Sequence, residues 1–256
     1  KANEDIIYET HRAEADALLD HADLVICTDF NDPKRIGSLG DKLLTLPCKK
    51  MMIDHHLHPA SFSDLTLSYP SSPSTCELVY RLICELQRSD LPSTGVADLQ
   101  RSDLTNIATC IYTGMMTDTG AFAYASTRKD IYLIIAELLG KGIDKDFIYR
   151  KVFYTSSLTR MRLWGFTLYE KLKLYNKYNA ALITLSHNEL MRFYAQKGDT
   201  EGIVNQPLQI KGVRFSCFFR EEQPRKINVS LRSVDDFPCN AVAAEFFNGG
   251  GHLNAS

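Results

Sequence analysis

Two short apolar runs in the first 60 residues each end in an acidic residue. Residues 23–28 (Asp-Leu-Val-Ile-Cys-Thr) lead into Asp29, and residues 50–53 (Lys-Met-Met-Ile) lead into Asp54. A continuous apolar run of this length is typical of a strand that is buried on both faces of a parallel sheet. We therefore predict two parallel strands whose carboxyl ends carry Asp29 and Asp54.

Helical spacing of apolar positions covers much of the remaining sequence up to residue 170. The segments with this spacing are 11–22, 74–87, 103–116, 130–140 and 146–170. Strands that alternate with helices predict an α/β domain, with a parallel sheet covered by helices on both faces. We assign this domain to residues 1–150 and a helical linker to residues 151–170.

The pattern changes after residue 171. Short β-like runs occupy residues 180–185, 213–220 and 227–232, and a helical pattern covers residues 240–247. This order predicts a second, smaller α/β domain with a mixed sheet over residues 171–256.

Composition limits the classes of function. The chain has 256 residues, of which 45% are hydrophobic and 23% charged, as in folded globular proteins, and its formal net charge is −2. The small acidic excess disfavours a protein that coats long nucleic acid, but a few cationic side chains in one cleft suffice for a small anionic substrate. The seven cysteines contain no CxxC pair, which favours reduced thiols in a cytoplasmic protein. No apolar run approaches the roughly 18 residues that cross a bilayer, so we expect no membrane partner.

Carboxylate and imidazole groups follow three of the predicted elements: Asp29, the run Asp54-His55-His56, and Asp118 in the sequence Thr-Asp-Thr-Gly. Ligands of parallel sheets gather outside the carboxyl ends of the strands, so these groups are expected to converge. Oxygen and imidazole ligands without thiolate suit Mn²⁺ or Mg²⁺ better than structural zinc. Taken singly, each group has an ordinary interpretation, because an acid after a strand is often a cap and adjacent histidines are common in solvated loops.

In combination, these residues resemble the DHH superfamily of phosphoesterases, in its nanoRNase and phosphoadenosine-phosphate (pAp) phosphatase branch. The motifs that carry the resemblance occur in the family's order at Leu24–Asp29, Met52–His56, Met116–Gly120 and Phe247–His252. The resemblance implies a DHH domain followed by a DHH-associated domain. It also implies a metal-dependent hydrolase that releases 5′ mononucleotides from very short single-stranded RNA and converts pAp to AMP. A homodimer is compatible with it.

The resemblance also assigns roles by position in the first domain. Asp29 would bridge two Mn²⁺ ions, with Mg²⁺ as the alternative, and His55 and Asp118 would bind one of them. Asp54 would orient its metal-bound neighbour, as carboxylates do around metal sites. His56 would lie beside the scissile phosphate and stabilise charge or donate a proton.

In the second domain the resemblance assigns substrate binding. Gly249, Gly250, Gly251 and His252 would bind a phosphate through backbone N–H groups that no Cβ obstructs. The ordinary interpretation of the glycines is a helix C-cap. Arg232 would hold a substrate phosphate, with a surface salt bridge as the alternative. Three candidates for base stacking, each more simply interpreted as a core residue, are Phe215, Phe218 and Phe219.

The sequence departs from the family at both ends. The family begins with a His-x-x-x-Asp-x-Asp loop that supplies three further metal ligands, and no such loop precedes Asp29. Members of the family also continue beyond the Gly-Gly-Gly-His motif. The simplest interpretation is that the chain lacks its natural N-terminus and is incomplete at its C-terminus, and these 256 residues alone are expected to be nearly inactive.

Two other functions remain open. An exopolyphosphatase or inorganic pyrophosphatase of the same superfamily would use the same metals on a substrate without a base. A non-catalytic nucleotide-binding relative would have lost the first motif. A processive single-strand exonuclease is disfavoured by the small size and the acidic balance.

Overall fold

The chain folds into two compact units, Lys1–Tyr149 and Arg150–Ser256. The computed structural model describes residues 6–88, 101–251 and 253–256. The boundary between the units falls inside a helix, Lys145–Phe153. Each unit contains its own sheet.

A parallel sheet lies in the first unit. Within the described residues its strands are β1 (Leu24–Thr28), β2 (Lys49–Asp54) and β3 (Leu65–Ser68), in that spatial order. Thr28 pairs with Ile53, and Asp54 pairs with Ser68. This register brings the carboxyl ends of all three strands to one edge of the sheet. Asp29 and Asp54 therefore lie at the same edge.

Helices precede, connect and follow these strands. Those described in the first unit are α1 (Arg12–Asp20), α2 (Ser38–Thr45), α3 (Thr75–Arg88), α4 (Arg101–Asp118) and α5 (Lys129–Gly140), and α6 (Lys145–Phe153) continues into the second unit. A short 3₁₀ helix, Pro33–Ile36, precedes α2. Cys27 of β1 packs against Leu43 and Leu46 in one buried cluster.

Helices α3 and α4 pack closely because one residue has no side chain. A Cβ placed on Gly114 of α4 would lie 2.1 Å from Sγ of Cys76 in α3. The neighbouring Met115 and Met116 are almost completely buried, with exposed fractions of 0% and 1%. This packing holds the carboxyl end of α4, and with it Asp118, against the rest of the unit.

The second unit contains a mixed sheet. Its strands are β4 (Lys173–Tyr175), β5 (Ala180–Leu185), β6 (Phe215–Gln223) and β7 (Lys226–Ser233), in that order. Strands β5 and β6 are parallel, and the two outer pairs are antiparallel. The α-helices of this unit are α7 (Leu158–Phe166), α8 (His187–Arg192) and α9 (Cys239–Phe247). Shorter helical segments are Thr167–Lys171, Asn176–Tyr178 and Ile203–Gln209.

One apolar core of the second unit lies between α7 and the sheet, and a second buried cluster joins Leu231 of β7 to Cys239 and Ala243 of α9. Leu163, Ile183 and Ile203 are completely buried, and they pack in one cluster with Leu185 and Phe218. The unit therefore has an apolar interior of its own.

The predicted α/β class, with a parallel sheet followed by a mixed sheet, is confirmed. The prediction that β1 is buried on both faces was wrong, because Leu24 and Ile26 on one face are 50% and 53% exposed. The helical prediction for residues 146–170 was only partly correct, because α6 and α7 are separated by residues 154–157. Ser157 ends the break, since its hydroxyl accepts a hydrogen bond from the Arg160 N–H and caps α7. The short strand β3 was not predicted.

Two further expectations concern the cysteines and membranes. All seven cysteines are free thiols, as predicted. No helix in the described part of the chain is both long and apolar enough to cross a membrane.

Truncation of Leu163 tests the core of the second unit. Leu163→Ala removes a completely buried side chain, and we expect the free energy of unfolding to fall by about 2–5 kcal/mol. Met161→Ala, on the same helix but 57% exposed, should change it by less than about 0.5 kcal/mol. Urea unfolding followed by fluorescence of Trp164, the only tryptophan, measures both. Equal effects of the two substitutions would contradict the assignment of Leu163 to the core.

Candidate functional site

Asp29 lies directly after β1 in a strained conformation. Its φ angle is +66°, in the left-handed region that non-glycine residues seldom adopt. Its N–H donates to the carbonyl of Ile53 at 3.1 Å, which holds this turn to the end of β2. The Thr75 hydroxyl donates to Oδ1 of Asp29 at 2.9 Å. The carboxylate is therefore held in one direction, although 57% of the side chain is exposed.

His55 follows β2, and its two ring nitrogens face different partners. Nδ1 lies 3.0 Å from the carbonyl oxygen of Ser72. Nε2 lies 3.6 Å from Oδ1 of Asp29 and 4.0 Å from Oδ2 of Asp118. The structure thus brings together the three predicted metal ligands, which are remote from one another in the sequence.

Asp118 is the last residue of α4, and the turn behind it is fixed by Thr119. The Thr119 side chain is completely buried. Its hydroxyl donates to the carbonyl of Met115 at 2.6 Å and accepts from the N–H of Phe122 at 3.0 Å. These bonds end the helix in a defined geometry and set the position of the Asp118 carboxylate.

The electrostatics of this cluster favour a bound cation. Burial raises the pKa of Asp118, and the negative charge of Asp29 raises it further, while His55 and His56 act in the opposite direction. Burial also raises the pKa of the Cys76 thiol, and the charges of Asp118 and Asp29 add to that effect. A positive ion would relieve this repulsion between the two carboxylates.

The separations of the ligand atoms also fit a shared ion. Two ligand atoms that are each about 2.0–2.2 Å from one ion can lie up to about 4.4 Å apart. The distances of 3.6 and 4.0 Å from Nε2 of His55 to the two carboxylates satisfy this limit and are too long for hydrogen bonds. One nitrogen and several carboxylate oxygens suit Mn²⁺ or Mg²⁺. The residues therefore fit the divalent cation that the family resemblance implies.

Asp54 holds a different partner from the one we expected. The side chain is completely buried. Its Oδ1 lies 2.7 Å from Nδ1 of His56, and its Oδ2 accepts from the His56 N–H at 2.7 Å. We expected Asp54 to orient the metal-bound neighbour His55, but Nδ1 of His55 faces the Ser72 carbonyl instead. Asp54 and His56 form a buried acid–imidazole pair.

His56 belongs to the same cluster as two of the predicted ligands. Ligand atoms of Asp29, His55 and His56 all lie within 4.8 Å of one another. The position of His56 therefore suits either a further ligand of the ion or a group beside it.

Sequence reasoning did not predict Ser72 and Thr75 as site residues. Both lie in the segment Ser71–Thr75, which contains four hydroxyl side chains and Pro73 directly before an apolar helix. Ser74 and Glu77 also have the spacing of a helix capping box. That pattern was the available signal, and it indicates a cap more directly than a metal site.

Arg232 in β7 bonds backbone carbonyls. Its Nη1 donates to the carbonyl of Leu231 at 2.8 Å and to that of Ser256 at 3.2 Å. Burial lowers the pKa of Arg232. These partners differ from the surface salt bridge that was its alternative interpretation.

The three glycines after α9 differ in their backbone conformation and in the space around them. The Gly249 N–H donates to the carbonyl of Ala243 at 3.0 Å, so Gly249 closes the helix, in agreement with the C-cap interpretation. Gly250 has open space where a Cβ would lie. Gly251 has φ +140°, and a Cβ there would lie 2.3 Å from the carbonyl oxygen of Ala255. His252 lies outside the described residues.

The three phenylalanines proposed for stacking contact other aromatic or core residues. Phe218 is buried in the core, and Phe215 packs against Phe237 with ring centroids 4.9 Å apart. Phe219 meets Phe247 edge to face at 5.8 Å. Core packing thus accounts for Phe218 and Phe215.

Comparisons with known proteins identify the family. Residues 2–115 match the DHH family N-terminal domain, and residues 178–256 match the DHHA1 domain. The chain is 28% identical over 234 residues to a bifunctional oligoribonuclease and PAP phosphatase NrnA of Bacillus subtilis, covering 91% of this chain and 68% of that protein. It is 29% identical to the NrnA of Thermus thermophilus, covering 80% of this chain and 56% of that protein.

A solved structure is similar as well. The crystal structure of an exopolyphosphatase-related protein from Bacteroides fragilis superposes with a TM-score of 0.90 and 51% identity, covering 99% of this chain and 71% of that one. The fold is that of a hydrolytic phosphoesterase, and the acid–imidazole cluster is one that could hold a metal ion. The chain belongs to the DHH family of hydrolytic phosphoesterases. This confirms the resemblance drawn from the four sequence motifs.

The raised pKa of Asp118 predicts a cost in stability when no cation is bound. An aspartate whose pKa is raised by folding destabilises the fold above its ordinary pKa, and the cost disappears as the pH falls below that value. Asp118→Asn should therefore raise the melting temperature of the chelator-treated protein at pH 7. We expect a rise of only about 1–2 °C, because the side chain is 39% exposed and water screens its charge.

Thermal unfolding at pH 7 and pH 3 measures this difference. At pH 3 the substituted and unsubstituted proteins should have the same melting temperature. A lower melting temperature of Asp118→Asn at pH 7 would show that the carboxylate does not repel its surroundings.

Proposed function

We propose that the protein is a Mn²⁺-dependent phosphoesterase that releases 5′ mononucleotides from very short RNAs and converts pAp to AMP. The observation that carries this proposal is the convergence of Asp29, His55 and Asp118 at the carboxyl edge of the parallel sheet. The names of the NrnA relatives support the substrate class. The chain spans 56% of the length of one of these relatives and 68% of another, so the activity is proposed for the full-length protein.

Asp29, His55 and Asp118 would hold the cation. A divalent cation there would supply positive charge that stabilises a phosphoryl group during displacement and lowers the pKa of an attacking water. The carboxylates of Asp29 and Asp118 lie close enough to repel each other, so they provide the negative charge that such an ion requires.

We assign the proton transfer to the pair Asp54 and His56. A carboxylate at Nδ1 of an imidazole fixes that nitrogen as the hydrogen donor and orients the ring. Nε2 of His56 is then the nitrogen that can exchange a proton with the leaving oxygen. The complete burial of Asp54 restricts the ring to this orientation.

Substrate binding is assigned to the second unit. Arg232 and the glycine segment 249–251, together with His252, are proposed to bind the nucleotide and its phosphate. The conformation of Gly251, which an L side chain would strain, supports a functional constraint on this segment. Backbone N–H groups that no Cβ covers are common in phosphate-binding loops.

A second candidate is an exopolyphosphatase, which would hydrolyse a substrate without a base. The description of the Bacteroides fragilis protein as exopolyphosphatase-related, at 51% identity, favours it. Turnover of the dinucleotide pApA, of pAp and of pentaphosphate by the same preparation with Mn²⁺ decides between the nucleotide and the polyphosphate substrate. Hydrolysis of pentaphosphate without hydrolysis of pApA or pAp would replace the nucleotide proposal with this one.

Substitution of Asp29 tests the catalytic cluster. Asp29→Asn in the full-length protein keeps the shape of the side chain but removes the negative charge. We expect kcat for pApA to fall by at least about 100-fold, because the loss of outer partners of a metal site alone costs about 10–100-fold. Release of AMP, followed by chromatography, measures the rate.

Asp32→Asn in the same loop is the matched control. Asp32 accepts a hydrogen bond from the N–H of Lys34, and asparagine can accept the same bond. The activity of Asp32→Asn should stay within about twofold of that of the unsubstituted protein, because surface substitutions of this kind have small effects. Mn²⁺-dependent turnover retained by Asp29→Asn would refute the assignment of Asp29.

Substitution of the glycines tests the second unit. Gly251→Ala forces an L side chain into φ +140° and against the Ala255 carbonyl. Strain of this kind costs about 1–3 kcal/mol, so we expect KM for pApA to rise by about tenfold or more. Gly165→Ala in α7, where a Cβ meets open space outside this segment, should leave KM within about twofold. Equal KM values for the two variants, with circular dichroism unchanged, would contradict the role of this segment.

A further inference from the structure

A segment of buried polar residues lies between β3 and α3. The exposed fractions are 4% for Ser72, 0% for Ser74, 5% for Thr75 and 0% for Glu77. Burial of polar and charged groups is costly unless each finds a partner. The partners of these four residues therefore indicate what the segment does.

Two of the contacts reach the cation site directly. The Thr75 hydroxyl donates to Oδ1 of Asp29 at 2.9 Å. The Ser72 carbonyl lies 3.0 Å from Nδ1 of His55. A carbonyl oxygen can only accept a hydrogen bond, so Nδ1 of His55 must carry the hydrogen. In the neutral ring the lone pair is then on Nε2, which faces the Asp29 and Asp118 carboxylates, and this is the orientation that a metal ligand requires.

Glu77 ties the two contacts together. Its Oε2 accepts from the Ser72 hydroxyl at 2.8 Å, and its N–H donates to Oγ of Ser74 at 3.2 Å. Ser74 thereby caps α3, the helix that begins at Thr75. Because the carboxylate of Glu77 binds Ser72 and its backbone binds Ser74, this stretch cannot move without breaking buried bonds.

Two arginines neutralise the other carboxylate oxygen of Glu77. Nη2 of Arg128 donates to Oε1 at 2.6 Å, and Nε of Arg81 donates to the same atom at 2.8 Å. Arg128 also donates through Nη1 to the carbonyl of Ser71 at 2.9 Å. Asp130 binds both arginines. This ion-pair network offsets the cost of burying the Glu77 charge and fixes the segment from the side of α5.

We infer that Ser72–Glu77 is the positioning element of the cation site: Thr75 sets the direction of the Asp29 carboxylate, and the Ser72 carbonyl sets the tautomer and orientation of His55. Glu77 holds both residues in place. These are positioning residues, since they act through the proposed ligands. The inference rests on the proposed function, because it assigns a role toward the cation that function requires.

The strained turn at Asp29 explains why the site needs such an element. With φ +66° and a side chain that is 57% exposed, the carboxylate would sample several directions without a fixed donor. The hydrogen bond from Thr75 fixes Oδ1 of Asp29, and this atom lies 3.6 Å from Nε2 of His55.

The experiment compares three threonine substitutions in the full-length protein. Thr75→Val keeps the shape but removes the hydroxyl donor, and Thr75→Ser restores it. Thr109→Val is the control, because the Thr109 hydroxyl bonds a backbone carbonyl inside α4, away from the cluster. The dissociation constant for Mn²⁺, measured by electron paramagnetic resonance of the free ion, is the readout. Thermal unfolding in the presence of chelator reports on the fold.

We expect the dissociation constant to rise by about tenfold or more in Thr75→Val, since outer partners of metal ligands typically contribute about 10–100-fold. Thr75→Ser and Thr109→Val should stay within about threefold of the unsubstituted protein. Should Thr75→Val fail to fold, Ser72→Ala serves in its place, because it removes the bond to Glu77 without adding volume. It should raise the dissociation constant severalfold.

The outcomes separate this inference from the proposed function. If the unsubstituted protein binds Mn²⁺ and hydrolyses pApA while Thr75→Val binds Mn²⁺ equally tightly, the positioning role is refuted and the proposed function stands. If the unsubstituted protein binds no divalent cation, both are refuted. Equal losses of Mn²⁺ affinity in Thr75→Val and Thr75→Ser would also refute the positioning role, because the missing hydroxyl would then not explain the loss.

Discussion

Repulsion between two carboxylates is the constraint on which the site depends. Asp29 and Asp118 both approach Nε2 of His55, and burial together with their mutual charge raises the pKa of Asp118. Such an arrangement is unfavourable in a protein that binds nothing there, and a divalent cation makes it favourable. The carboxyl edge of the parallel sheet, the end of α4 and the cap of α3 together maintain it.

Groups that lie progressively farther from the site hold the proposed ligands in place. The Ser72 carbonyl and the Thr75 hydroxyl contact His55 and Asp29, and Glu77 holds the segment that carries them. Arg81 of α3 and Arg128, directly before α5, then balance the buried Glu77 charge. Preorganisation of this kind is expected where charges must be placed accurately before a substrate arrives. It also explains why so many polar groups are buried close to the edge of a small sheet.

Sequence patterns predicted the parts of this arrangement that are carried by local chemistry. The apolar run before Asp29 and that before Asp54 predicted β1 and β2, and the motifs indicated the DHH family, which the comparisons confirm. The partner of Asp54 was predicted incorrectly, because two adjacent histidines are equivalent in the sequence and only the turn after β2 decides which one meets the buried carboxylate. Thr75 was missed because it lies 46 residues from Asp29, and a hydroxyl before a helix more commonly serves as a cap.

The central claim is that Asp29, His55 and Asp118 bind one divalent cation. Crystals of the full-length protein soaked in Mn²⁺, with diffraction data collected above and below the manganese absorption edge, test this claim most directly. We expect an anomalous difference peak in contact with the side chains of all three residues. A peak elsewhere, or none at these side chains in crystals that have taken up Mn²⁺, would contradict it.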